Sequence, residues 1–143
     1  MAEVAYNVGK SLVAANAIPN AASNLRAAIV ITSKTGAADP DLATMAAIDA
    51  VGTVAFHTQR VALASVTKTT DNTNDRVNWS CATFSFSAAA GVTALALIVY
   101  DATTDTNDTT RIPIAFYDTN FGAGIAMDGG LNVTVPTNFL QLA

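Results

Sequence analysis

Apolar and polar residues alternate along most of this chain with the two-residue period of β-strands. Residues 25–32, Leu-Arg-Ala-Ala-Ile-Val-Ile-Thr, are nearly all apolar and predict a strand buried on both faces. In residues 61–66, Val61, Leu63 and Ser65 fall on one side, with Ala62, Ala64 and Val66 on the other. Val77, Trp79 and Cys81 share a face, and Phe84 and Phe86 share the next, one residue out of phase. A one-residue slip reverses the sheet face, so a bulge or bend is expected between Cys81 and Phe84. Residues 93–100 alternate again, with Leu95, Leu97 and Val99 opposed to Ala94, Ala96, Ile98 and Tyr100. In residues 111–117, Ile112, Ile114 and Phe116 are expected on one face. Pro113 lacks a donor for a ladder bond, which predicts an edge strand. Residues 131–135 alternate cleanly, and residues 138–142 supply the last apolar run.

One segment carries a helical signature instead. Asp39 is a good N-cap, Pro40 suits the first helical position and Asp41 complements the dipole. Leu42, Met45 and Ile48 form an apolar stripe, and Gly52 is the expected stop, giving about three turns. Residues 1–24, with Val4, Val8 and Leu12 at four-residue spacing before Pro19, predict either a short helix or an extended arm lying on a neighbouring subunit. Polar turns are expected at residues 71–75, 101–110, 122–124 and 128–130. The spacing of short strands and Gly/Asn/Asp turns predicts a mainly β chain, an antiparallel β-sandwich or jelly-roll-like barrel with one short helix. Residues 25–143 are expected to form a single β-rich domain after the arm or helix of residues 1–24. Its core should centre on Trp79, with Phe84, Leu95, Leu97, Ile114 and Val133 around it.

Composition narrows the function. Among 143 residues only 13% are charged, against about 25% in an average chain. The net charge of −4 lacks the cationic footprint of a nucleic-acid binder, and the apolar content is too high for disorder. One His and one Cys cannot build a Cys/His zinc site or a disulfide framework. The longest apolar run, residues 94–100, falls short of the ~20 residues that span a bilayer. The start Met1-Ala2-Glu3-Val4 carries an acid where a signal peptide would be basic, so synthesis in a cytosol without export by a cleaved signal is expected.

The candidate chemistry is sparse. His57 has no nucleophile elbow beside it and reads as a polar residue starting a strand. Cys81, near Trp79, has the position of an inert buried thiol. The acids cluster as Asp39/Asp41, Asp71/Asp75 and Asp101/Asp105/Asp108, in turn-like segments where Asp is favoured for conformational reasons. A calcium site is the functional alternative for these loops, although neither matches a calcium motif. Gly122, Gly124, Gly129 and Gly130 lack the Lys of a phosphate cradle. Tyr117 and Phe121 are the aromatics nearest turns, and so the ones a carbohydrate-binding module would use. No catalytic, cofactor-binding or metal-ligating residue is assigned, and no cofactor is expected.

A resemblance lies in the order of segments. Val77-Asn-Trp-Ser-Cys-Ala-Thr-Phe-Ser-Phe is followed by Ala94-Leu-Ala-Leu-Ile-Val-Tyr-Asp and a polar loop. Then come Ile112-Pro-Ile-Ala-Phe-Tyr-Asp, a Gly-rich turn, Leu131-Asn-Val-Thr-Val and Phe139-Leu-Gln-Leu. Over about residues 25–143 this progression resembles the small virion structural proteins of tailed bacteriophages, those described as minor structural or capsid decoration (cement) proteins. The resemblance implies a non-enzymatic protein on the capsid surface that binds the major capsid protein and itself, with no nucleic-acid or membrane partner. A homotrimer is the expected closed oligomer. Alternatives are a tail, connector or fibre-base component and a virion-surface carbohydrate-binding module.

Overall fold

A computed structural model describes residues 4–15, 24–33, 36–51, 54–74, 76–103, 107–133 and 140–142. In chain order the elements are β1 (Val4–Ala5), α1 (Asn7–Ala14), β2 (Leu25–Val30), α2 (Met45–Asp49), β3 (Phe56–Ala62), β4 (Thr67–Asp71) and β5 (Arg76–Ser80). There follow β6 (Phe84–Phe86), β7 (Thr93–Ala94), β8 (Ala96–Asp101), β9 (Ile112–Tyr117), β10 (Ile125–Ala126), β11 (Leu131–Val133) and β12 (Leu140–Leu142). The chain is mainly β with little helix, and every strand pairing is antiparallel.

A five-stranded sheet in the order β1-β9-β8-β2-β3 forms the centre. Its β2 and β8 pair residue for residue from Leu25↔Asp101 to Val30↔Ala96, and all six residues of β8 are buried. Because strand side chains alternate, this sheet has two apolar faces. On one, Leu25, Ala27, Ile29, Leu97, Val99 and Ala115 meet Trp79, Phe84, Phe86, Met127 and Leu131 from the smaller sheets β12-β5-β4 and β11-β6 and from the turns beside them. On the other, Ala28, Val30, Ile98 and Phe116 meet Tyr6 and the α2 residues Met45 and Ile48. The architecture is consistent with a β-sandwich carrying a thin helical cover.

The predicted core is largely present. Trp79 is 2% exposed and shares a cluster with Phe84, Leu97 and Ile114, against which Val133 packs. Leu95 is outside that cluster: it lies between β7 and β8 and is only half-buried, its amide donating to the Val30 carbonyl at 2.8 Å.

Several local expectations need correction. The helix starts at Met45, not after Asp39. The Asp39 carboxylate accepts the Asp41 amide at 3.0 Å, closing a turn that α1 holds through Asn7 N to Pro40 O at 2.9 Å. Thr44 is the true N-cap, its Oγ1 accepting from the Ala47 amide at 3.1 Å. The Met45 and Ala46 amides donate to the carbonyls of Arg111 and Asp108, so a distant loop satisfies donors that a longer helix would have used internally. Two short α-helices are present rather than one, since Asn7–Ala14 is helical as well.

The alternation of residues 61–66 does not mark one strand. Strand β3 begins at Phe56 and ends at Ala62, and Ser65 sits at φ 53°, which turns the chain into β4. Strand β9 is not an edge, because β1 covers it through Val4↔Phe116 and Ala5↔Ala115. Its pairing with β8 shifts between Tyr100↔Pro113 and Val99↔Ala115, leaving Ile114 extra. Proline is tolerated at such a bulge. The bulge also puts Ile114 and Ala115 in one apolar cluster and Phe116 in the other, so Ile114 and Phe116 do not share a face. Between Cys81 and Phe84 the expected break is present as a gap between β5 and β6, which belong to different sheets. For residues 1–24, Val4–Ala5 and Asn7–Ala14 pack on the chain's own β9; residues 1–3 and 16–23 lie outside the described residues. Of the strand at 131–135 and the run at 138–142, residues 134–139 lie outside them too.

Candidate functional site

The densest group of charged side chains lies at one end of the helix-covered face. Arg26, the second residue of β2, stands directly opposite Tyr100 of β8. Arg60 of β3 is opposite Ala28, so Arg26, Arg60 and Tyr100 share one face as neighbours or diagonals. Arg111 enters from the residue before β9, its guanidinium carbon 5.6 Å from the Tyr100 ring centroid. Arg60 lies over the Phe56 ring at 5.1 Å and donates from Nη1 to the His57 carbonyl.

Asp108 bridges two of the three cations. Its Oδ1 accepts from Arg111 Nη1 at 2.6 Å, and its Oδ2 lies 3.5 Å from Arg60 Nη2. The three side chains in this bridge keep a little access to water, at 16% for Arg111, 14% for Arg60 and 30% for Asp108. Tyr100 is fully buried, and its hydroxyl has no hydrogen-bond partner among the described residues. The same holds for the Nε atoms of Arg26, Arg60 and Arg111. Burial pushes the Tyr100 hydroxyl above its ordinary pKa, while Arg111, Arg60 and Arg26 pull it back and Asp108 adds to the rise. Three guanidiniums thus face one described carboxylate around a buried phenol.

The residues singled out from sequence sit elsewhere, apart from Asp108. His57 is the second residue of β3, half-buried, with Nδ1 accepting from the Gln59 amide at 3.3 Å. Cys81 follows β5 half-buried, and burial pushes its thiol up to about 11. That value leaves little thiolate at neutral pH. Asp71 accepts the amides of Thr73 and Asn74, and Asp101 accepts the amide and hydroxyl of Thr103. These are self-capping turns. Asp75 and Asp105 lie outside the described residues. Among the described residues no group of three or more His, Cys, Asp or Glu is placed to hold a metal ion. In the glycine turns, the Gly91 amide donates to Asp128 Oδ1 at 2.9 Å, which fastens one turn to another. Phe121 is buried, and Tyr117 packs against the core.

Sequence reasoning missed the arginine cluster. One signal pointed to it: Arg26 is the only charge in the otherwise apolar strand Leu25–Val30. Tyr100, ending the other fully apolar strand, is its partner in register. A helix long and apolar enough to cross a membrane is absent among the described residues. No family model, curated protein or solved structure matches the chain.

Proposed function

We propose that this chain is a structural protein of a bacteriophage virion, a capsid decoration (cement) protein that ties neighbouring capsid subunits together as a homotrimer. The observation that carries the reading is the outer edge of β4. This strand ends the β12-β5-β4 sheet, and Thr67, Lys68, Thr69 and Thr70 are all exposed. An open, threonine-rich edge offers backbone donors and acceptors to another chain, and natural proteins ordinarily cover or charge such edges. Behind it stands a sheet with apolar contacts on both faces, a stiff support for a binding surface. The segment order from residue 77 to residue 142 supports the same reading.

A cement protein acts by mass action, stabilising the assembled head because it binds that form. With so few surface charges, its attachment should depend little on salt. The test is to add purified protein to undecorated phage heads and measure occupancy, heat-induced DNA release and salt dependence. Saturable occupancy with a raised release temperature is the expected result. Occupancy that leaves heat resistance unchanged overturns the cement role, and co-purification with tails alone puts a tail component in its place.

A further inference from the structure

We propose that Arg26, Arg60 and Arg111 form a binding site for a small doubly charged oxyanion of the phosphate or sulfate class, seated against the Tyr100 hydroxyl. The inference stands apart from the assembly role. Geometry carries it: Arg26 and Tyr100 are direct cross-strand neighbours, Arg60 is diagonal to Arg26, and Arg111 covers the Tyr100 ring. Guanidinium forks match the oxygens of an oxyanion and donate charge-assisted hydrogen bonds.

Tyr100 supplies the second, independent observation. Its hydroxyl is fully buried and lacks a partner among the described residues, although buried hydroxyls are ordinarily bonded. One oxyanion oxygen accepting from that hydroxyl satisfies it, and the other oxygens face the guanidiniums. Asp108 already takes Arg60 and Arg111 together, and among the described residues it is the one carboxylate bonded to the cluster. A dianion brings the described charges to balance. The aromatic rings under Arg60 and Arg111 hold those side chains in place before the anion arrives. Partial exposure of Arg60, Arg111 and Asp108 leaves an approach from solvent.

The experiment is thermal unfolding of the whole chain in phosphate, sulfate, acetate and chloride at matched ionic strength, with isothermal titration of inorganic phosphate alongside. Wild type should show a saturable rise of about 5–10 °C once phosphate exceeds its Kd about a hundredfold. Tyr100→Phe keeps the ring and removes one hydrogen bond, so phosphate affinity should fall about fivefold to tenfold. Arg26→Gln should lower it by about tenfold or more. Lys68→Gln, on the other side of the fold, should leave the response intact. Equal midpoints in phosphate and chloride overturn the proposal, as does a response to acetate as large as that to phosphate. It is also overturned if wild type ignores phosphate while Asp105→Asn becomes phosphate-sensitive, because the chain then supplies its own counter-charge.

Discussion

Gly9 offers a test in which local propensity and tertiary packing predict opposite signs. It lies inside α1, where replacing glycine by alanine ordinarily stabilises by about 1 kcal/mol. In this fold a Cβ on Gly9 would meet both Cα and the carbonyl oxygen of Ile114 at 2.8 Å. Those are backbone atoms of β9, held by β8 on one side and by β1 on the other, so they cannot swing aside as a flexible side chain would. Overpacking of this kind costs about 1–3 kcal/mol, and a backbone obstacle belongs at the upper end. Subtracting the propensity gain leaves Gly9→Ala destabilised by about 2 kcal/mol. In a chain of this size that lowers the melting temperature by about 4–8 °C. Exposed Ser11 in the same helix is the control: Ser11→Ala should be neutral or slightly stabilising. Scanning calorimetry on both variants decides. A Gly9→Ala protein as stable as wild type, or more so, would refute the close approach of α1 to β9.

Trp79→Ala empties the centre of the larger apolar cluster and should cost about 3–5 kcal/mol, measured by denaturant unfolding; an unchanged midpoint would place the indole outside the core. Thr44→Ala removes the cap of α2 and should cost about 1 kcal/mol, and Asp39→Ala should not reproduce a loss of helix in circular dichroism. Cys81, pushed up from 9.0 to about 11, should react with a thiol reagent at pH 8 about a hundredfold more slowly than an unperturbed thiol. The fold favours its protonated form, so this stabilisation is held below about pH 9 and lost as pH rises toward about 11. A Cys81→Ala variant with the same alkaline stability profile as wild type would contradict that assignment.

The strands that build the central sheet were legible because their pattern is redundant. Residues 25–30 and 96–101 are apolar on both faces, and little else suits such a run in a chain of this composition. Features set by partners far along the chain were not. Asp39 and Thr44 are both good caps, and the choice between them rests on carbonyls of Asp108 and Arg111. The faces of Ile114 and Phe116 depend on a bulge that strict alternation cannot show. The arginine cluster draws on β2, β3 and the approach to β9, and only the sheet order brings these together. Its one local trace was a lone arginine in an apolar strand.

The pairing of Val4 with Phe116 has a consequence for how the molecule is made. A ribosome synthesises β1 almost first, yet its partner emerges only after most of the chain. Strand β2 likewise waits for β8, and β5 lacks one neighbour until Leu140–Leu142 have been added. Contacts so distant in sequence must close large loops before they return any stabilisation, which slows folding. The nascent chain therefore carries the apolar strand Leu25–Val30 uncovered on both faces through much of translation, the condition in which aggregation competes with folding. Yield in a cell should respond to chaperone supply and to growth temperature more steeply than the stability of the finished fold would suggest.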